Sequence, residues 1–228
     1  MNGVANMSGT PCVLLLGADT VVGMSKLVSA VAVVLVVVLA PVRALTSDHL
    51  PAAAAPIDPK IASLRIAPES GSATYRRSYF KHWVDENKDC QDTRAEVLVL
   101  ESLSSTHGGC RIRTGRWWSW YDGVYVEDTG SLDIDHVVAL KEAWESGAST
   151  WTEQQRERFA NDLTRPETLT AVSATQNRRK SDKDPAQWLP PMERCRYVAS
   201  WVAVKLRWKL TVDQDEYDAI RRVLSNCP

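Results

Sequence analysis

The sequence predicts a single α+β domain in which helices predominate, and three observations carry that expectation. Segments that open with a capping side chain and continue with apolar residues at helical spacing recur along the chain. Between them lie short runs with apolar residues at alternate positions, bounded by glycine and aspartate. No internal repeat and no second linker divides this part, and 228 residues at 44% hydrophobic content suffice for one ordinary packed core.

Taken from the N-terminus, Lys26 precedes an apolar run from Leu27 to Ala40, and Val42-Arg43-Ala44 follows as a small-residue cleavage pattern. This reads as a secretory signal peptide, with the export machinery as its implied partner. The run is shorter than the roughly 20 residues a spanning helix needs, so retention at the cell surface by an uncleaved anchor is the weaker reading. The pattern begins at Met24, which is therefore the expected true start, with residues 1–23 as an extension. Residues 1–44 are assigned to extension and signal. The Ala- and Pro-rich residues 45–70 form a linker, and residues 71–228 the domain.

Within the domain, Asp92 caps a helix that runs to Leu103 and carries Val97 and Leu98, and Arg94 is expected in an ion pair. From Cys110 to Gly130, glycines, aromatics and the alternating Val124 and Val126 favour short strands and turns. This stretch mixes Arg111, Arg113 and Arg116 with Trp117, Trp118, Trp120 and Tyr121. A core hairpin is the favoured reading, and a groove where arginines meet phosphates and rings stack on bases is the competing one. Thr152 and Gln155 make a capping box for a helix that ends near Asn161. Cys195, Val198, Val202 and Leu206 share one face of a further helix, and Tyr217, Ile220 and Leu224 share one face of the next. These two helices are expected to form an αα-hairpin.

Cys12 precedes the signal, which leaves Cys90, Cys110, Cys195 and Cys227, and an even set in an exported chain suggests two disulfides. Three pairings exist, and sequence alone does not choose among them. Cys90 with Cys110 and Cys195 with Cys227 is favoured because each pair brackets one local unit. Zinc is the competing reading, weakened by the lack of any C-x-x-C spacing.

The formal net charge of -1 excludes a protein that coats nucleic acid by bulk charge, so any polyanion must be met locally. The stretch "SLDIDHVVAL" offers a place. Leu132 and Ile134 alternate with Asp133 and Asp135, which predicts a strand with its acids on one face and His136 on the other. Downstream, Leu169 to Val172 reads as a second strand, followed by Ser173 or Thr175 as the cap of a short helix carrying Asn177. A carboxylate from Asp135 and an amide oxygen from Asn177 are hard ligands, suited to Mg²⁺, Mn²⁺ or Ca²⁺. Arg178, Arg179, Lys180 and Lys183 beside them suggest phosphate positioning. His136 can take a proton from water near neutral pH. Metal, base and cations together describe phosphodiester hydrolysis.

"DIDHVVAL", "FANDL" and "NRRKSDKDP" resemble the HNH, or ββα-metal, nuclease motif. Within that superfamily the chain is most similar to the C-terminal nuclease domain of GmrSD-type restriction enzymes and its small secreted bacterial relatives. Similar wording occurs in the HNH domain of CRISPR effector nucleases. The resemblance is strongest from Leu132 to Pro190 and extends more weakly from Cys90 to the C-terminus. It implies a ββα-metal core within the mainly helical domain. It makes Asp135 the first metal ligand, Asn177 the second, and His136 the general base. It also implies that Asn161 braces the loop bearing the histidine. Lys180 would contact phosphate or stabilise charge in the transition state, and Asp133 would support the ligands or serve as an alternative one. The motif's last position is Asn rather than His, which shifts the ligand set toward oxygen and Mg²⁺. A helical insertion from Lys141 to Arg158 separates His136 from Asn161.

The expected function is that of a secreted HNH endonuclease, hydrolysing DNA with one divalent ion, most simply Mg²⁺ with Mn²⁺ as the substitute. RNA is the second candidate substrate. No dedicated recognition module is evident, so little sequence specificity is expected. A monomer without an obligate protein partner is favoured. The alternative is a non-catalytic secreted module that keeps the fold and binds nucleic acid or a surface partner.

Overall fold

The structure, a computed structural model, describes residues 59–228, so the expected extension, signal peptide and first part of the linker lie outside the described residues. In chain order the elements are α1 (Pro59–Ala62), β1 (Arg65–Ile66), α2 (Thr93–Glu101), β2 (Thr114–Ser119), β3 (Val124–Asp128), β4 (Leu132–His136) and α3 (Leu140–Glu145). They continue with α4 (Glu153–Ala160), β5 (Leu169–Ser173), α5 (Ala174–Lys180), α6 (Arg194–Trp208), β6 (Thr211–Val212) and α7 (Gln214–Leu224). Helix and strand are mixed, as expected, and both favoured disulfides are present, Cys90–Cys110 and Cys195–Cys227.

The caps fall where the side chains demanded them. Asp92 accepts from Ala95 N–H, Thr152 and Gln155 form the reciprocal box, and Asp213 accepts from Glu216 N–H. Each meets a donor that the first helical turn leaves without a partner. The sequence allows a start of the folded part between Ile61 and Tyr75, and packing begins at the early end of that range, before the boundary set at 71. Ile61 and Leu64 are buried, and β1 pairs in parallel with β6, so residues 61–66 are part of the fold rather than linker. Composition concealed this, because a two-residue strand carries no periodicity to detect.

β2 pairs with β3 and β4 with β5, both antiparallel, the second in a regular register from Leu132 opposite Ser173 to His136 opposite Leu169. Every residue of β5 is buried because the strand is covered on both faces. Ala171 and Leu169 join Leu98, Trp117, Leu132 and Ile134 in one core, whereas Val172 joins Phe80, Tyr121, Phe159, Tyr197 and Trp201 in the other. The hairpin of β2 and β3 is mainly the core hairpin expected: Trp117, Trp120 and Tyr121 are buried and Trp118 stays partly exposed. Arg94 makes no ion pair among the described residues. It donates instead to the carbonyls of Thr129 and Leu132, tying α2 to the start of β4.

Buried charge is concentrated where helices meet. Lys205 Nζ reaches Glu142 on α3 at 2.5 Å and Glu216 on α7 at 3.1 Å, joining three helices through one ammonium. Another carboxyl, the half-buried Glu101, accepts from Ala171 N–H at 2.9 Å and Thr170 Oγ1 at 3.2 Å. Burial raises its pKa from 4.5 to about 7, against the pull of those two donors. A raised folded-state pKa means that stability is fully present below about pH 4.5 and is lost as pH rises through 7. The Glu101→Gln variant should therefore match wild type at pH 5 and exceed it by about 1–3 kcal/mol at pH 8. Urea midpoints at the two pH values measure this, and equal pH slopes for both proteins would contradict it.

Candidate active site

β4 delivers two kinds of group to two sides because successive residues of a strand alternate faces. Asp133 and Asp135 point toward α5, while His136 points toward α4 and the segment around Trp83. α5 follows β5 without a connecting loop, its first turn capped by Ser173, whose hydroxyl accepts from Gln176 N–H. Asn177 and Lys180, three residues apart, therefore share the helix face that looks onto β4.

His136 is buried and its Nε2 lies 2.9 Å from the carbonyl oxygen of Ala160, the last residue of α4. A carbonyl only accepts, so Nε2 carries the proton. Burial lowers the imidazole pKa from 6.5 to about 3, countered by the Ala160 carbonyl and reinforced by the nearby charges of Arg77, His82 and Lys180. The ring is neutral at physiological pH, and its Nδ1 is the unprotonated, proton-accepting nitrogen. Trp83 at 5.5 Å and Phe159 at 6.5 Å between ring centroids hold the imidazole plane.

Asn161 does its work through its neighbours. Its Oδ1 accepts from Val84 N–H and Thr93 Oγ1, and its Nδ2 donates to the carbonyls of Lys81 and Glu157. It thereby fastens residues 81–93 to the end of α4, while the preceding carbonyl holds His136. The bracing is of Trp83's segment and of α4 rather than of the strand that bears the histidine.

Asp135 is buried between two donors: Tyr121 OH at 2.6 Å from Oδ2 and Lys180 Nζ at 2.8 Å from Oδ1. Burial pushes its pKa up, and Lys180 and Tyr121 pull it back toward the ionised form. Lys180 is 0% exposed and also donates to the carbonyl of His136 at 2.9 Å. The resemblance made Lys180 a phosphate contact or a stabiliser of transition-state charge. Here its ammonium is enclosed and committed to β4, because its position on the helix face turns it inward. Asn177 Nδ2 donates to Asp133 Oδ2 at 3.1 Å, which leaves Oδ1 of the amide as the end available to a cation.

The cations of the motif are thus divided. Arg178 lies on the cleft and pairs with Asp133 at 3.6 Å. Lys183 donates to the carbonyl of Arg179, closing the end of α5, and neither residue lines the cleft. The cleft itself, about 460 Å³, brings together Asp135, His136, Asn177 and Arg178 with Tyr75 and Arg77 from the segment that precedes α2. Tyr75, Arg77, Tyr121 and Trp83 were not singled out as site residues from sequence. Tyr121 was read among packing aromatics, and the others lie in a stretch without a motif.

The donor set fits a hard divalent ion. Asp135 and Asn177 supply oxygens only, and each carboxylate oxygen of Asp135 has one hydrogen bond, leaving lone-pair capacity on both.

Residues 75–223 match the model of the GmrSD restriction endonuclease C-terminal domain. The chain is 37% identical over 170 residues to an uncharacterised secreted protein of Arthroderma benhamiae, covering 73% of this chain and 82% of that one. No solved structure matches. The matched span runs from before α2 to all but the last residue of α7 and includes every residue of the cleft, and the chain belongs to the family of GmrSD restriction endonuclease C-terminal domains.

Proposed function

We propose that the protein is a secreted, metal-dependent endonuclease that hydrolyses the phosphodiester bonds of DNA with little sequence preference. One observation carries this reading. A neutral imidazole has Nε2 committed to the Ala160 carbonyl and Nδ1 without a hydrogen bond among the described residues, and it lines the same cleft as Asp135 and Asn177. In this reading β4, β5 and α5 are the ββα-metal core. His136 Nδ1 takes a proton from the attacking water, and the Ala160 carbonyl stabilises the imidazolium that results by accepting from Nε2. Asp135 and Asn177 would hold one divalent ion, most simply Mg²⁺, which when bound supplies Lewis-acid stabilisation of negative charge at the phosphate and the leaving 3′ oxygen. Tyr121 and Lys180 fix the Asp135 carboxylate and counter the burial that raises its pKa, and Asp133 orients the Asn177 amide. Asn161 holds the wall against which His136 packs.

Export is supported by the apolar run at residues 27–40 after Lys26 and by the name of the fungal relative. In this reading residues 1–44 are an extension and a signal peptide, residues 45–70 lead into the fold, and residues 71–228 carry the nuclease domain.

A second reading, a non-catalytic module that binds nucleic acid or a surface partner, is favoured by one observation: Lys180 already neutralises Asp135. Plasmid and single-stranded DNA assays separate the two, using the chain produced from about Leu45 with its disulfides formed. Nicking in Mg²⁺ or Mn²⁺ that EDTA abolishes and added metal restores is expected. A folded protein inert with every metal and nucleic acid would favour the binding module.

A further inference from the structure

Four cations stand in or beneath the cleft, and three are already engaged by carboxylates. Arg178 pairs with Asp133 at 3.6 Å, Lys141 with Asp182 at 2.7 Å and Glu145 at 3.5 Å, and Lys180 with Asp135 at 2.8 Å. Arg77 is the exception: among the described residues no carboxylate lies within ion-pair distance of it. It is exposed, stands on a single helical turn (Arg77–Tyr79), and lines the same cleft as Asp135, His136 and Asn177, with the Tyr75 hydroxyl beside its guanidinium.

We propose that Arg77 is a catalytic residue that grips the scissile phosphate in the cleft it shares with His136 and Asn177. The assignment rests on the nuclease reading above and adds to it a residue outside the sequence motif. A guanidinium presents two parallel N–H donors that match two non-bridging phosphate oxygens, and its charge is permanent. A cation with a carboxylate partner would have to break that pair to reach a phosphate, whereas Arg77 has none to break. When hydroxide adds to phosphorus, the diester's single negative charge becomes two, so a donor fork already in place is worth more in the transition state than in the bound substrate. Arg77 should therefore act mainly on kcat. DNA is held by many contacts along its length, and losing one should change KM little.

The test is cleavage of a labelled oligonucleotide in Mg²⁺ by the purified wild-type protein and by Arg77→Ala and Arg77→Lys. Arg77→Ala should lose about 10²–10³-fold in kcat, with KM within about threefold and an unchanged melting temperature. Arg77→Lys, with the charge but not the fork, should fall between the two. Guanidinium chloride at low millimolar concentration should restore Arg77→Ala saturably, and sodium or ammonium chloride should not. Wild-type cleavage with Arg77→Ala equally active would overturn the assignment and leave the nuclease reading standing. A folded Arg77→Ala that is inactive and ignores guanidinium would make Arg77 structural and also overturn it. A wild-type protein without cleavage would remove the nuclease reading and Arg77 with it.

Discussion

The His136→Ala variant is expected to cleave DNA about 10²–10⁴-fold more slowly than wild type while remaining folded, the range that a positioned general base contributes. The imidazole is neutral in the folded protein, so its removal deletes no buried charge. The Ala160 carbonyl loses its donor and a small cavity opens among Trp83, Phe159 and Ala160. Those losses call for a cost of about 1–3 kcal/mol, well below global unfolding of a domain of this size. The loss should fall on kcat, since the ring takes its proton only as water attacks. Single-turnover rates and thermal melts measured together check this. A variant within threefold of wild type would remove His136 from the chemistry.

The second large effect belongs to Lys180. The Lys180→Met variant leaves Asp135 buried with only Tyr121 as a partner, and breaking one side of a buried pair costs about 3–5 kcal/mol. Cleavage should fall as well, because the carboxylate either takes up a proton or moves, and in both cases ceases to be the group that α5 and β4 hold in place. The double variant Lys180→Met with Asp135→Asn removes both charges. It should recover most of the stability and none of the activity, a non-additivity that residues in direct contact display. Urea unfolding of the single and double variants reads the first outcome, and the cleavage assay the second. A Lys180→Met protein as stable as wild type would show that Asp135 is neutral or solvated in solution.

Much of this arrangement was legible because local signals and global packing agree. The alternation of Leu132, Asp133, Ile134 and Asp135 dictates a strand with acids on one face, and the strand sits between a core and a helix as that pattern requires. Asp92 and Thr152 announced their helices through their own hydrogen bonds, and of the alternatives Ser173 and Thr175 it is Ser173 that caps α5. The cysteine pairs followed from the units they bracket.

What stayed hidden depends on contacts distant in sequence. Lys180 stands in a run of cations that reads as a phosphate-binding patch, and only the rotation of α5 against β4 turns its ammonium inward onto Asp135. The group that sets the tautomer of His136 is a main-chain carbonyl at Ala160, for which no side chain can give a signal. Tyr121 is one of several adjacent aromatics, and its hydroxyl is distinguished from a packing ring only by meeting Asp135. Arg77 reaches the cleft from residues that precede every recognisable motif element, and residues 61–66 join the core through a pairing with β6 that short strands conceal.

The most direct test of the central claim, that His136 is the base in a metal-dependent phosphodiesterase cleft, is imidazole rescue. Single-turnover cleavage of an end-labelled DNA strand in Mg²⁺ would be followed for the His136→Ala variant with increasing imidazole. A rate that rises with the concentration of neutral imidazole, is absent in EDTA, and yields the same 5′-phosphate ends as wild type is the predicted result. A folded variant whose residual cleavage ignores imidazole, beside a wild-type protein that cleaves without metal, would contradict it.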